Sequence, residues 1–153
     1  MGKPAIEGTC LCGAVQLAVA RRPRQITQCN CSTCRRYGTL WAYYRRKAVT
    51  ITAPRAGLES YAVRAGSIRF VRCRACGCVI CWEVPGKAPD DRMGVNTRLL
   101  DHAQMARVPI QVLDGDLSWK TLGTYTKPEL WISPRRAPAS PATRAPARAA
   151  GKR

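Results

Sequence analysis

The chain has 153 residues, of which 46% are hydrophobic, and its formal net charge is +17. This length predicts one domain with a trailing segment, and the composition allows a modest hydrophobic core. No run approaches the ~18 apolar residues of a membrane span, and residues 1–7 lack the apolar core of a secretory signal, so we expect a soluble cytoplasmic protein.

Strand patterns dominate residues 1–133. Segment 14–20 alternates and places Val15, Leu17 and Val19 on one face. Short segments rich in β-branched or aromatic residues follow at 39–44, 49–52, 58–63, 68–72, 79–84, 93–96, 110–113 and 119–122. Residues 97–105 have room for one or two helical turns, and no segment has helical periodicity over three turns. The prediction is a mostly β domain of many short antiparallel strands, with a small core stapled by metal.

The composition changes at Pro134. Residues 134–153 contain six Lys/Arg, no acidic residue and no large apolar side chain, so they are predicted to be a disordered basic tail. Residues 1–133 keep 20 Lys/Arg against 9 Asp/Glu and are basic in their own right. The tail is either a cationic arm for nucleic acid or a solvated segment without a partner, and we prefer the second interpretation. The excess of basic residues in residues 1–133 indicates either affinity for anions or a compositional bias without a functional role.

Nine cysteines form three tight clusters, and the single histidine, His102, lies apart from them. The clusters are Cys10 and Cys12; Cys29, Cys31 and Cys34; and Cys73, Cys76, Cys78 and Cys81. Such spacing in a chain without a secretory signal favours metal ligands over disulfides, and a disulfide framework would leave one thiol of nine unpaired.

The first cluster and the start of the third predict one closed site. Cys73-x-x-Cys76-Gly77 is typical of a zinc knuckle, because the two-residue spacer lets both thiolates reach one tetrahedral ion. In Cys10-x-Cys12 we expect an extended chain, in which residues i and i+2 face the same way. These four thiolates are predicted to bind a structural zinc that supports folding.

The second cluster predicts a site of another kind. Cys29-x-Cys31-x-x-Cys34 offers three thiolates and no local fourth ligand, which is the pattern of a catalytic zinc with an open position. Two alternatives remain: closure by Cys78, Cys81 or His102, or a reactive thiol cluster without metal. Cys78 and Cys81 are three apart in a predicted strand, so they should face opposite sides, and each can be a small buried hydrophobe.

The three cysteine ligands indicate which exogenous ligand this second zinc would bind. Three thiolates more than cancel the metal's charge, so the ion suits an incoming thiol, whose pKa it would lower. Arg35 and Arg36 directly follow Cys34 and are predicted to bind carboxylate groups of the thiol substrate. The alternative is that they lie on a solvent-exposed strand edge and bind nothing. Trp41, Tyr43 and Tyr44 are candidates for the pocket wall or for the core.

Three linked motifs carry a resemblance to a known family. They are Gly8-Thr-Cys10-Leu-Cys12-Gly13, Cys29-Asn-Cys31-Ser-Thr-Cys34-Arg-Arg and Cys73-Arg-Ala-Cys76-Gly77. In this order they resemble the glutathione-dependent formaldehyde-activating enzymes, a family that includes centromere protein V-like proteins, over residues 5–132. Cys78, Cys81 and the basic tail are additional to the family pattern.

The resemblance implies a β-tent type fold and two zinc ions with the ligand sets given above. It also implies a carbon–sulfur lyase related to S-(hydroxymethyl)glutathione synthase, which condenses formaldehyde with glutathione or catalyses the reverse reaction. Two other functions compete with this one. A nucleic-acid-binding zinc module would explain the charge, although no known nucleic-acid-binding motif is present, and a purely structural zinc module would have two closed sites.

Overall fold

The computed structural model describes residues 6–126, which form eleven short strands, two short helices and three 3-10 turns. The strands are β1 (Ile6–Thr9), β2 (Gln16–Val19), β3 (Ile26–Cys29), β4 (Trp41–Arg45), β5 (Val49–Thr52), β6 (Leu58–Val63), β7 (Ile68–Cys73), β8 (Val79–Glu83), β9 (Arg92–Asn96), β10 (Ile110–Leu113) and β11 (Thr121–Tyr125). The helices are α1 (Ser32–Tyr37) and α2 (His102–Met105). The mostly β prediction is confirmed. The predicted tail, residues 134–153, lies outside the described residues.

The strands form two sheets. The small sheet has the order β1-β2-β5, and the large sheet has the order β11-β10-β3-β4-β9-β8-β7-β6. All pairs are antiparallel except β3 with β10, which run parallel. The sequence predicted antiparallel strands, so this parallel pair was not expected. Alternation of side chains shows which face of a strand is buried, but it does not show the direction of the neighbouring strand.

The main hydrophobic cluster draws residues from both sheets. Leu17 and Val19 come from the small sheet, and Val95 and Ile110 come from the large one. Val15, Leu17 and Val19 are all buried, as their alternation predicted. Cys81 is fully buried in the same cluster, where it packs as a small hydrophobe.

Two elements near the second cysteine cluster were not predicted. β3 contributes only four residues, and α1 only six, so neither is long enough for a clear periodic signal. Gly38 caps the C-terminal end of α1. Its φ is 62°, and its N–H donates a hydrogen bond to the Arg35 carbonyl.

The helical turns predicted within residues 97–105 are present as the 3-10 turn Thr97–Leu99 and the helix α2. No helix within residues 6–126 is long and apolar enough to cross a membrane.

A close backbone crossing joins the small sheet to the segment after β9. Gly8 in β1 forms an isolated antiparallel bridge with Leu100, and the Asp101 N–H donates to the Glu7 carbonyl at 3.1 Å. A Cβ atom at position 8 would lie 2.1 Å from the Leu99 carbonyl oxygen and 2.8 Å from the Leu100 Cα. Only glycine therefore allows the two chains to approach this closely.

Gly8→Ala is expected to lower the free energy of unfolding by about 2 kcal/mol or more, because the new methyl group must push one backbone segment away from the other. Chemical denaturation at matched metal content measures this. Gly123→Ala in β11 is the control, since its Cβ would meet no heavy atom within 4 Å, and it should change stability by about 0.5 kcal/mol or less. Equal stability of the two variants would contradict the proposed role of the crossing.

Candidate functional site

The structure brings two groups of thiols together, and they are the two that the sequence predicted. The Sγ atoms of the first group (Cys10, Cys12, Cys73 and Cys76) all lie within 4.8 Å of one another. The Cys10 and Cys12 sulfurs are 3.5 Å apart, and the Cys12 and Cys73 sulfurs are 3.8 Å apart. A tetrahedral ion with metal–sulfur bonds of about 2.3 Å would hold its sulfurs about 3.8 Å apart, so the four thiols fit such an ion.

Two tight turns build this four-cysteine cluster. Cys10 to Gly13 forms a turn in which the Gly13 N–H donates to the Cys10 carbonyl at 3.0 Å and Gly13 has a φ of 78°. The expectation of an extended Cys10-x-Cys12 segment is therefore wrong, because the glycine closes a turn. Across the site, Gly77 has a φ of 73° and its N–H donates to the Cys73 carbonyl at 2.9 Å, as the knuckle pattern predicted.

Within the four-cysteine cluster the pKa values move in opposite directions: the hydrogen bond with Cys10 contributes to raising the pKa of Cys12, whereas Cys76 is favoured as a thiolate. Burial acts to raise the pKa of Cys76, but backbone hydrogen bonds at Cys78 and Cys12 outweigh it and lower that pKa to about 6. The Val15 N–H also points to the Cys10 sulfur at 3.3 Å. Amide groups directed at sulfur are suited to thiolate ligands of a metal ion.

The second group consists of Cys29, Cys31 and Cys34, whose sulfurs also lie within 4.8 Å of one another. Cys29 ends β3, and Cys31 and Cys34 are separated by one turn at the start of α1, which places them on the same face. Cys29 and Cys34 are buried and Cys31 is half-buried.

The neighbouring thiols and burial disfavour a charge on the Cys34 sulfur. A hydrogen bond with Cys29, together with burial, raises the pKa of Cys34. The Trp41 indole N–H donates to the Cys34 sulfur at 3.2 Å and acts in the opposite direction. A cation held by these sulfurs would supply the charge compensation that the protein lacks here.

No fourth ligand completes the three-cysteine cluster among the His, Cys, Asp and Glu side chains of residues 6–126. Cys78 packs beside the four-cysteine cluster, and Cys81 lies in the main core. His102 is exposed at the start of α2, where its Nε2 is hydrogen-bonded to the Arg98 carbonyl at 3.2 Å. The structure therefore brings none of the three alternative ligands into this cluster.

A loop after β10 packs directly against the three-cysteine cluster. A Cβ atom on Gly115 would lie 2.3 Å from the Cys29 sulfur, so a side chain there would displace the thiol. The Asn30 side chain clamps this loop by donating to the Asp114 carboxylate at 3.0 Å and accepting from the Asp116 N–H at 3.2 Å. The Asp-Gly pair at 114–115 is the turn signal in the sequence that marks this loop.

The Asp114 carboxylate organises the same loop. It accepts hydrogen bonds from the Ser118 hydroxyl at 2.7 Å and the Ser118 N–H at 3.0 Å. The hydrogen bonds from Ser118 and Asn30 lower the pKa of Asp114 to about 2, so the carboxylate is ionised throughout the neutral range. Asp114 and Gly115 thus fix the position of the Cys29 thiol from outside the cysteine motif.

A cleft of about 1110 Å³ opens beside the three-cysteine cluster, and all three of its cysteines line it. Trp41 and Tyr43 also line the cleft, whereas Tyr44 lies in the main core and donates from its hydroxyl to the Arg21 carbonyl at 3.0 Å. Burial raises the pKa of Tyr43, so this hydroxyl stays protonated at neutral pH.

The arginines that line the cleft are Arg21, Arg22, Arg24 and Arg92. Arg92 stacks over the Tyr43 ring with its guanidinium carbon 4.0 Å from the ring centre, and Arg22 donates to the Ala106 carbonyl. Arg35 and Arg36 are exposed on α1 and are not among the residues that line the cleft. Their role as carboxylate ligands stays a prediction.

Comparison with known proteins agrees with the predicted resemblance. The family model described as "Glutathione-dependent formaldehyde-activating enzyme" matches residues 5–113. Among solved structures, the crystal structure of a Rhodobacter sphaeroides protein determined as a structural genomics target is similar, with a TM-score of 0.53 and 27% identity. The match covers 62% of this chain and 87% of that one. No curated protein gives a significant match.

Gly115→Ala is expected to weaken metal binding at the three-cysteine cluster by about tenfold or more, because the methyl group displaces the Cys29 sulfur. Titration of the metal-free protein with Co²⁺, followed by thiolate-to-metal absorption, would show two phases, and only the phase of this cluster should shift. Gly123→Ala is the control and should leave both phases in place. A Gly115→Ala protein with the wild-type titration would show that the loop does not position the thiol.

Proposed function

Because the chain belongs to the glutathione-dependent formaldehyde-activating enzyme family, we propose that it forms or breaks the carbon–sulfur bond between glutathione and a small aldehyde at the three-cysteine cluster. In one direction this makes S-hydroxymethylglutathione, and in the other it acts as a carbon–sulfur lyase. The observation that carries the proposal is a set of three thiol ligands in a cleft, with no fourth ligand among the His, Cys, Asp and Glu side chains of residues 6–126.

The two thiol clusters have ligand sets that zinc prefers, so we assign one zinc to each. Cys10, Cys12, Cys73 and Cys76 would hold a structural ion, because four sulfurs complete a tetrahedral shell. Cys29, Cys31 and Cys34 would hold the catalytic ion and leave one position for a guest. Bound there, zinc supplies a centre that lowers the pKa of an incoming thiol and so favours its nucleophilic form.

The charges of the cleft complement glutathione. This tripeptide carries two carboxylates and one ammonium group, and the cleft offers the guanidinium groups of Arg21, Arg24 and Arg92 together with the carboxylate of Asp116. Arg92 is held against the Tyr43 ring, so less of its side-chain freedom is lost when it binds a carboxylate. These contacts would fix the peptide while its sulfur reaches the three cysteines.

The reaction itself conserves electrons. The thiol sulfur forms a bond to the carbonyl carbon, the π electrons of the C=O bond move to oxygen, and the proton lost by the thiol ends on that oxygen. Trp41 and Leu113 line the cleft with the three cysteines and exclude water from the reacting atoms. Tyr43 packs against the hydrophobic cluster that contains Cys29 and Cys34. Its hydroxyl is protonated and hydrogen-bonded with Thr27, and it can donate its proton in a hydrogen bond to the substrate.

Cys34→Ser is expected to reduce zinc from two ions per chain to about one and to slow the exchange between formaldehyde and S-hydroxymethylglutathione by about a hundredfold or more. Elemental analysis gives the zinc content, and exchange NMR gives the rate. The fold should remain, because the four-cysteine cluster is intact. Cys78→Ser, which changes a cysteine that lies outside the three-cysteine cluster, is the control and should keep the zinc of that cluster and the wild-type rate. A wild-type protein that does not accelerate the exchange would refute the proposed function.

Arg24→Gln and Arg92→Gln are each expected to raise the dissociation constant of glutathione about tenfold, because each removes a charged hydrogen-bond donor from the cleft. Isothermal titration calorimetry measures this constant. The double variant Arg35→Gln/Arg36→Gln tests the arginines predicted from sequence. A larger effect of the double variant than of either cleft variant would reassign the carboxylate site to α1.

A further inference from the structure

The cleft is larger than glutathione and a one-carbon aldehyde require. Its volume is about 1110 Å³, above the range of ~300–1000 Å³ typical of sites for drug-sized ligands. A tripeptide with a hydroxymethyl group on its sulfur belongs in the lower part of that range. The surplus space is available to a larger group attached to the same sulfur.

The surplus part of the cleft has an apolar wall. Val63, Ile68, Phe70 and Trp82 line it, and they belong to the same hydrophobic cluster as the thiols of Cys29 and Cys34, together with Tyr43. Val63, Ile68 and Trp82 are only half-buried, so they leave apolar surface facing the cleft. Apolar surface next to a reactive thiol cluster suits an apolar ligand group rather than a hydrated one-carbon aldehyde.

Aromatic contacts connect this wall to the thiols. The Trp41 indole donates to the Cys34 sulfur and packs edge-on against the Phe70 ring, with ring centres 5.4 Å apart at 75°. Trp82 lies 6.0 Å from the Tyr43 ring, tilted by 59°. Trp41 and Phe70 are buried, so the half-buried Trp82 and Tyr43 are the rings of this group that can contact an aromatic substituent.

Gly94 holds Trp82 flat against the sheet. A Cβ atom at position 94 would lie 2.1 Å from the Trp82 indole nitrogen, so any side chain there would push the ring away from the sheet. Because residue 94 is glycine, the ring forms part of the wall and leaves the space above it open. The pair Gly94 and Trp82 therefore sets the width of the apolar part of the cleft.

The order of the strands separates most of the charged lining from the apolar wall, and the exception is Arg92 on β9, which is the neighbour of β8. Arg21 and Arg24 precede β3, while Val63, Ile68, Phe70 and Trp82 lie on β6 to β8, at the other end of the sheet. Trp41 lies on β4, between these two regions. A glutathione adduct can thus place its carboxylates at the arginines, its sulfur at the cysteines and its substituent at the apolar wall.

We infer that the cleft also accepts glutathione adducts of aldehydes with a bulky apolar or aromatic group, and that Trp82, seated on Gly94, determines this wider specificity. The inference rests on the proposed function and names its substrate class. In the lyase direction the carbon–sulfur bond of the hemithioacetal breaks, its hydroxyl proton passes to sulfur, and the free thiol and the aldehyde are released without oxidation or reduction.

Stable thioethers test the inference by calorimetry, because they bind without reacting. S-benzylglutathione is expected to bind about tenfold or more tightly than S-methylglutathione, since the phenyl ring leaves water for the apolar wall. Trp82→Ala should abolish most of that difference. Leu122→Ala is the matched control, because Leu122 is 62% exposed on β11 and does not line the cleft, and it should keep the difference.

Val63→Trp is a second variant, which fills the apolar part of the cleft with a larger side chain instead of enlarging it. It keeps the inference testable if Trp82→Ala does not fold. It should lower the affinity for S-benzylglutathione relative to S-methylglutathione by about tenfold. Equal affinities of the wild-type protein for the two thioethers would overturn the inference while leaving the proposed function in place. Failure of glutathione and of both thioethers to bind would overturn the proposed function and the inference with it.

Discussion

The convergence of four thiols from two distant turns is the constraint on which the rest of the structure depends. Cys10 and Cys12 follow β1 of the small sheet, while Cys73 ends β7 of the large sheet and Cys76 lies in the connection from β7 to β8. Their sulfurs meet within 4.8 Å across a separation of about sixty residues. Strands of four to six residues form a small core, so a shared ion at this point would contribute stability that packing alone cannot supply.

The position of the three-cysteine cluster is determined in a different way. Its cysteines lie at the end of one short strand and at the start of one short helix, and contacts from elsewhere in the chain set their exact placement. Gly115 leaves space for the Cys29 sulfur, and Asn30 and Asp114 hold the loop against it. The site therefore combines a compact ligand motif with a distant loop that shapes its surroundings, as is usual where ligand orientation is set by outer contacts.

The cysteine groups could be predicted because ligand spacing is a local property, and so could strands such as β2, whose alternation is clear. Arg35 and Arg36 are neighbours of Cys34 in sequence, yet the arginines that line the cleft are Arg21, Arg22, Arg24 and Arg92. Which arginines line the cleft depends on the tertiary arrangement of the sheet, and no local sequence pattern encodes that arrangement. The parallel pairing of β3 with β10 and the role of Gly115 were unpredictable for the same reason, since both join segments about 84 residues apart.

The single parallel pair also has a consequence for the order of assembly. Parallel strands end at the same edge of a sheet, so the cysteines after β3 and the loop after β10 emerge side by side. The three thiols are grouped by contacts within six residues, whereas their enclosure waits for a strand that is synthesised much later. During translation, grouping of these three thiols and their enclosure by the loop after β10 are consequently two separate events, because local contacts form before distant ones.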